Sequence, residues 1–254
     1  METSDSYKLE ICANSVASCI EAQKGGAYRV ELCAGIPEGG TTPSFGDISL
    51  ARELLHIKLN VIIRPRGGDF LYSDLEHRIM LKDIEMALKI GADGIVIGCL
   101  TADGDVDIQR NKELIDAAGD MSITFHRAFD KCRNPYENLE KIISLGCDRI
   151  LTSGQQPKAE QGLPLLKELV DMAAGRIIIM PGSGVNEDNI AHIATETGAK
   201  EFHMSARIAL QSEMKYRNPA VSMGGTNITI NEYKQLVTSA ERVRKSLIQL
   251  QPKA

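Results

Sequence analysis

The 254-residue sequence lacks the patterns that would assign it to several broad classes of protein. It has no basic block, and its 29 basic and 34 acidic residues give a formal net charge of −5, which argues against a nucleic-acid partner. No apolar run approaches the roughly 20 residues of a membrane-spanning helix. The polar start METSDSYK also lacks the apolar core of a secretory signal. We therefore predict a cytoplasmic protein that needs neither a membrane nor a nucleic acid.

The six cysteines lack a recognisable pairing pattern. None forms a C-x-x-C pair, and their irregular spacing fits neither a zinc ribbon nor a disulfide framework in a chain of this size. We predict that they are reduced thiols.

Short β-branched runs alternate with longer amphipathic stretches along almost the whole sequence, and this alternation favours parallel βαβ units. Eight strands, each followed by a helix, predict a single-domain (β/α)8 barrel over residues 1–254, with an open doubly wound sheet as the alternative. A long loop over 211–229 precedes a final helix at about 231–249. The predicted strands lie at 8–12, 28–33, 59–65, 94–98, 122–126, 149–153, 176–180 and 201–205.

Polar residues recur at every second position in several of these strands. Glu10 and Cys12 alternate with apolar residues in the first strand, and Glu31 and Cys33 repeat the pattern in the second. Successive side chains of a strand point to opposite faces, so each polar set shares one face. The apolar sets belong against the helices, and the polar sets are therefore predicted to line the barrel interior.

Two roles are open for these interior polar groups. The first is a closed ion-pair network that fills the lumen and has only a structural role. This interpretation fits the residues at the starts of the strands. Residues late in their strands suit a function better, because ligands of such barrels bind at the carboxyl ends of the strands. Buried charges are also costly unless they are paired. The network candidates are Lys8, Glu10, Arg29, Glu31, Arg149 and Glu201, and the functional candidates are Glu31, Arg64, Arg66 and His126.

Several longer motifs resemble the CutC copper homeostasis family. They are LEICANS (9–15), RVELCAGIPEGGTTPS (29–44), IRPRGGDF (63–70), GADGIVIGCLTADGDVD (91–107), TFHRAFD (124–130) and LTSGQ (151–155). The resemblance covers about residues 7–250. It implies a (β/α)8 barrel, a cytoplasmic location and a role in copper binding or handling. It also implies that Cys12 and Cys33 are Cu(I) ligands.

The chemistry of the two cysteines agrees with that implication. Thiolates are soft ligands, and Cu(I) accepts two of them. Neighbouring parallel strands lie about 4.8 Å apart, so matching positions bring Cys12 and Cys33 within reach of one ion. The alternative is that each cysteine is a small buried hydrophobe.

The motif IRPRGGDF indicates an anion rather than a soft metal. Arg64 and Arg66 are predicted to share one face at the end of the third strand, and guanidinium groups bind carboxylate or phosphate. The alternative is that they pair with Glu10 and Glu31.

Two loops add to the predicted anion site. The glycine-rich turn after the seventh strand contains Gly182 and Gly184, and barrels often bind phosphate at this place through backbone N–H groups. The loop after the sixth strand brings Ser153 beside that turn. His126 and Arg127 follow the fifth strand, and His126 could act as a general acid or base, or as a metal ligand.

Two hypotheses follow from these motifs. The first is a cytoplasmic protein that binds Cu(I) through its strand-end cysteines. The second is a barrel enzyme that acts on a small carboxylated or phosphorylated metabolite in a reaction of unknown type, with Glu10, Glu31 and His126 as acid–base groups. His203 is a further candidate, for which a satisfied core histidine is the alternative. A homo-oligomer is one assembly that the sequence leaves open.

Overall fold

Eight parallel strands form the centre of the protein in a computed structural model that describes residues 7–218, 220–221 and 231–251. Each of the first six strands pairs with the next along the chain, and the first also pairs with the eighth. The seventh and eighth strands lie side by side, so the sheet curls into a nearly closed barrel. The predicted (β/α)8 fold is therefore confirmed. The strands are β1 (Lys8–Ala13), β2 (Arg29–Leu32), β3 (Lys58–Ile62), β4 (Gly94–Ile97), β5 (Ser122–Phe125), β6 (Arg149–Thr152), β7 (Ile178–Pro181) and β8 (Glu201–Met204).

Helices cover the outside of the barrel, and local sequence signals explain their ends. The Ser15 side chain accepts from the backbone N–H of Ser18 and caps the first helix. Ser73 and Glu76 form a capping box at the start of the third helix, which stops at Gly91 in a left-handed conformation (φ 88°). The helices are α1 (Val16–Lys24), α2 (Phe45–Leu54), α3 (Asp74–Ile90), α4 (Ile108–Ala118), α5 (Pro135–Ser144), α6 (Leu163–Ala173), α7 (Ile190–Thr197) and α8 (Ala240–Gln249).

The segment before α8 differs from the prediction. Two further strands, β9 (Arg207–Gln211) and β10 (Lys234–Thr238), pair in antiparallel fashion, so α8 begins later than predicted. The prediction of a helix from about residue 231 was wrong because Val237 and Thr238 are β-branched and find strand partners in β9, which outweighs local helix propensity. Of the predicted loop, residues 219 and 222–229 lie outside the described part of the chain.

The core confirms the predicted alternation of side chains. Leu9, Ile11, Val30 and Leu32 are buried between the strands and the helices. Their polar neighbours point into the lumen, where strand register sets which of them meet. No helix in the described ranges is long and apolar enough to cross a membrane.

Candidate functional site

A layer of ion pairs fills the lumen near the amino ends of the strands. The Arg29 guanidinium lies between two carboxylates. Its Nε donates to Glu10, and its Nη2 donates to Glu201 Oε2 at 2.5 Å. Glu201 also lies 3.4 Å from Arg149 Nε and 3.8 Å from Lys8 Nζ. The structural network predicted for the strand starts is therefore present. We call these five residues the floor.

His203 lies above the floor between two glutamates. Its Nδ1 is 2.8 Å from Glu10 Oε1, and its Nε2 is 3.4 Å from Glu31 Oε2. The contact with Glu10 follows from the register of β1 and β8, in which Glu10 and His203 are partners. The sequence did not decide whether His203 is a functional residue or a core histidine. In the structure, His203 links Glu10 of the floor to Glu31.

The three linked groups have shifted pKa values. Burial lowers the pKa of His203, but hydrogen bonds with Cys12 and Glu10 and the charge of Glu31 outweigh it and hold that pKa well above its usual value. Burial opposes ionisation of Glu10, yet Arg29 and His203 keep its pKa below the usual range. Burial raises the pKa of Glu31 to about 8, although His203 acts in the opposite direction. Glu10 is therefore ionised at neutral pH, whereas Glu31 ionises at a higher pH than an exposed glutamate does.

The two predicted cysteines meet at the carboxyl ends of β1 and β2. The Sγ atoms of Cys12 and Cys33 are 3.8 Å apart and are not bonded. The hydrogen bond from Cys33 lowers the pKa of Cys12, with help from His203 and Arg207, while the same contact raises the pKa of Cys33. The two thiols therefore titrate as a coupled pair, in which Cys12 ionises more readily than Cys33. The Arg207 guanidinium, 3.4 Å from Cys12 Sγ, was not anticipated from the sequence because it lies on β9.

Donor atoms suited to a metal ion surround this pair. One ligand atom from each of Cys12, Cys33 and Glu31 lie within 4.8 Å of one another, and Glu10, Glu31 and His203 form a second such set. Glu31 belongs to both sets. The other thiols lie elsewhere: Cys99 and Cys132 are buried in the apolar core, where burial raises the pKa of each to about 12.

A cavity of about 250 Å³ opens above the thiols at the carboxyl ends of the strands. We call it the mouth. Cys12, Cys33 and Glu31 line it, together with Arg64 and His126. Arg127 and His203 also line it, so the structure brings together seven of the residues that the sequence singled out. It adds Phe70, whose ring lies 5.0 Å from that of His126.

The two arginines of IRPRGGDF separate. Arg64 lines the mouth, and its Nη atoms donate to the backbone carbonyls of Glu38, Gly40 and Gly68 at 2.7–2.9 Å. Arg66 is not among the residues that line the mouth; it binds Glu76 at 2.5 Å and Asp69 at 3.0 Å. β3 ends at Ile62, so strand alternation no longer orients Arg66. The alternative pairing of these arginines with Glu10 and Glu31 was also wrong, because Glu10 is taken by Arg29.

Arg127 and Asp130 line the mouth, and both bond to Ser153, which is buried behind them and does not line it. Arg127 Nε lies 2.7 Å from Asp130, and its Nη2 donates to Ser153 Oγ at 2.9 Å. Asp130 also accepts from the Ser153 backbone N–H at 3.0 Å. The two glycines of the turn after β7 do not line the mouth; Gly182 packs on Leu151 and His203, and Gly184 on Lys158. The anion-binding role predicted for that turn stays a prediction.

Fold and site together define a parallel (β/α)8-barrel protein with a paired-thiol centre at the carboxyl ends of its first two strands. The chain belongs to the CutC family, whose sequence model matches residues 7–208. The resemblance seen in the motifs is thereby confirmed, and the family is one of copper homeostasis by name.

Individual relatives match over almost the whole chain. A family protein CutC from Bacteroides thetaiotaomicron is 64% identical over 238 residues, covering 93% of this chain and 95% of that protein. The mouse copper homeostasis protein cutC homolog is 46% identical over 238 residues, covering 94% of this chain and 87% of that protein. A crystal structure named CutC from Streptococcus agalactiae superposes with a TM-score of 0.76 at 37% identity, covering 78% of this chain and 98% of that one.

Proposed function

We propose that this protein binds Cu(I) through the thiolates of Cys12 and Cys33 as part of copper homeostasis. The observation that carries the proposal is the 3.8 Å separation of two unbonded sulfur atoms whose residues line an open cavity. Soft thiolates select Cu(I) over harder ions, which prefer oxygen ligands. The names of the relatives support the same metal.

The donor set suits a soft cation as cargo. Cys12 ionises more readily than Cys33, and binding of the ion releases any proton that the two thiols still hold. Glu31 is within reach as a third donor. Glu10 orients His203 from below, as carboxylates do for histidines around metal centres. The residues of this chain would thus hold the ion and keep the neighbouring imidazole in place.

A cytoplasmic location belongs to the same proposal. Cu(I) and free thiols both require a reducing compartment, and all six cysteines are free in the structure.

The enzyme hypothesis stays a prediction, and the surroundings of its three acid–base candidates differ. Glu10 is ionised beneath the mouth, and burial lowers the pKa of His126 to about 3. Only Glu31, with a pKa of about 8, titrates near the neutral range that proton transfer favours.

Titration of Cu(I) into the reduced protein, in competition with a Cu(I) chelator, tests the copper proposal. We expect Cys12→Ser combined with Cys33→Ser to weaken Cu(I) binding by more than about 100-fold. Loss of a residue that only supports a metal ligand already weakens metal binding by up to about 100-fold, and this variant removes the ligands themselves. Cys99→Ser combined with Cys132→Ser is the matched control, since it removes two thiols that lie in the apolar core. Equal affinity of the wild type and the Cys12 and Cys33 double variant would overturn the proposal.

A further inference from the structure

The mouth contains polar groups that the copper proposal does not use. Its cysteines lie at the bottom, and one wall consists of Arg64, Phe70 and His126. Its volume of about 250 Å³ is somewhat below the roughly 300–1,000 Å³ of sites for drug-sized ligands, so the occupant would be a small metabolite.

His126 presents a hydrogen-bond donor that has no acceptor. Its Nδ1 accepts from the backbone N–H of Ala128 at 3.2 Å, so the proton of the neutral ring belongs on Nε2. Burial and the charge of Arg64 lower the pKa of His126 to about 3, which leaves the ring neutral at physiological pH. The side chain is only 4% exposed, and Nε2 has no partner among the described residues. Buried polar atoms without partners are rare and call for an explanation.

Arg64 presents a positive charge that no carboxylate neutralises within the described ranges. Its Nη atoms are held by backbone carbonyls, which are neutral, and its Nε is buried without a partner. The residue is 4% exposed. A buried charge of this kind is costly unless an opposite charge joins it.

Phe70 connects these two groups, and the remaining charges of the mouth do not cancel Arg64. The Phe70 ring lies 5.1 Å from the Arg64 guanidinium carbon and 5.0 Å from the His126 ring. Asp130 is already paired with Arg127, and Glu31 Oε2 lies 3.4 Å from His203 Nε2. The mouth therefore offers a cation, a neutral N–H donor and an aromatic surface. Within the described ranges, the acidic groups that line it already face other partners: Cys12 faces Arg207, Glu31 faces His203 and Asp130 faces Arg127.

We propose that the mouth binds a small organic oxyanion, a carboxylate or a phosphate monoester, whose oxygen atoms accept from His126 Nε2 and lie against the Arg64 guanidinium. The Phe70 ring covers the carbon skeleton of this ligand. The oxyanion would sit directly above the cysteines and would cover them. This inference goes beyond the copper function and does not depend on it, because the two donors are present without a metal.

Calorimetric titration of the reduced, metal-free protein tests the inference with inorganic phosphate, phosphoglycolate and succinate as probes. We expect saturable binding of one equivalent of at least one probe, stronger for an organic anion than for inorganic phosphate. The first arm compares phosphoglycolate with succinate and so separates a phosphate ligand from a carboxylate. The second arm repeats the titration on Cu(I)-loaded protein.

Two variants probe the two donors separately. Arg64→Lys keeps the charge but loses the planar fork, and His126→Phe keeps the ring against Phe70 but loses the N–H donor. We expect each variant to weaken anion binding at least about tenfold, the effect of about 1.4 kcal/mol in binding free energy. Arg66→Gln is the matched control, because it removes a guanidinium of the same loop that does not line the mouth, and it should leave the anion affinity unchanged.

A spectroscopic measurement on the wild type tests the inference even if Arg64→Lys disturbs the loop that Arg64 holds. The imidazole Nε2 resonance of His126 in the wild type should shift on addition of the anion, whereas that of His77 on α3 should not. Absence of saturable binding for all three probes, or binding that survives both variants, would overturn the inference. So would anion binding that is absent from metal-free protein while Arg64→Lys weakens Cu(I) binding, since Arg64 would then serve the copper–thiolate complex. The copper proposal is tested separately, by the Cys12→Ser and Cys33→Ser double variant, so its failure and the failure of this inference are distinguishable.

Discussion

The floor and the mouth occupy the same lumen and are equally rich in charged and polar groups, but they differ in whether those groups have partners. In the floor, Arg29 lies between Glu10 and Glu201. The Nε of Arg149 makes no hydrogen bond to the described residues, but it lies 3.4 Å from the Glu201 carboxylate, so its charge also meets an opposite charge. In the mouth, Arg64 meets neutral carbonyls and the Phe70 ring but no carboxylate, and His126 Nε2 has no acceptor, among the residues that the structure describes. Partner satisfaction, rather than polarity or burial, thus distinguishes a structural layer from a candidate site.

Cavity size alone would have pointed to the other end of the barrel. A cavity of about 570 Å³ lies at the amino ends of the strands, lined in part by Arg52, Lys58 and Asp93. Its charges are mutually paired, with Asp93 lying 2.5 Å from Arg52 and 3.0 Å from Lys58. The smaller mouth holds the unpaired groups and the thiols, and it is therefore the better candidate site.

The largest effect should come from breaking the floor. Arg29→Met leaves Glu10 and Glu201 as buried carboxylates without their shared cation, so the free energy of unfolding should fall by about 3–5 kcal/mol in chemical denaturation. Lys8→Met is the control, because Lys8 is 36% exposed and lies 3.8 Å from Glu201. If Arg29→Met were as stable as Lys8→Met, the floor would not be the structural layer that we infer.

The next largest effect should come from Glu31, which lies between the floor and the mouth, and it should depend on pH. The pKa of Glu31 rises from 4.5 to about 8 on folding, so the folded protein holds this proton more tightly than the unfolded chain does. Stability from this group is complete below pH 4.5 and is lost as the pH rises toward 8. Glu31→Gln should remove that loss and raise the free energy of unfolding at pH 9 by on the order of 2 kcal/mol, measured by denaturation across the pH range.

Glu10 provides the opposite case on the other side of the same imidazole. Its pKa is lowered by Arg29 and His203 against the effect of burial, so its contribution is present at neutral pH and is lost on acidification below 4.5. Glu10→Gln should therefore destabilise the protein at neutral pH and reduce its sensitivity to acid. Equal pH profiles for the two variants would contradict the distinction between Glu10 and Glu31.

Strand alternation explains which parts of this arrangement were predictable. Glu10, Cys12, Glu31 and Cys33 lie within or directly after regular strands, where side chains alternate strictly, and all four point into the lumen as predicted. Arg66 was misplaced because it lies four residues beyond the end of β3, where the chain has turned and alternation no longer applies. Local pattern therefore predicts direction only as far as the strand continues.

Contacts across the barrel could not be derived in the same way. The bond between His203 and Glu10 joins residues 193 positions apart and depends on the register of β8 against β1. The sequence offers no local signal for that register, which the closure of the whole barrel determines. The proximity of Arg207 to Cys12 depends likewise on the pairing of β9 with β10. The sequence analysis predicted a helix in place of β10 and therefore missed this pairing.

The smallest effect, and the sharpest comparison within one loop, should come from Arg66. Its ion pairs with Glu76 and Asp69 lie at the surface, and such pairs contribute about 0–1 kcal/mol, so Arg66→Gln should change the free energy of unfolding by no more than that. Glu76 would still accept from the Ser73 backbone N–H and cap α3, which limits the loss further. Arg64→Gln, two residues earlier, removes the donors that hold three loop carbonyls, and thermal unfolding should show a clearly larger loss of stability. Equal losses would mean that the loop is held from outside, by Arg66, and that the position of Arg64 in the mouth is a consequence of the loop rather than its cause.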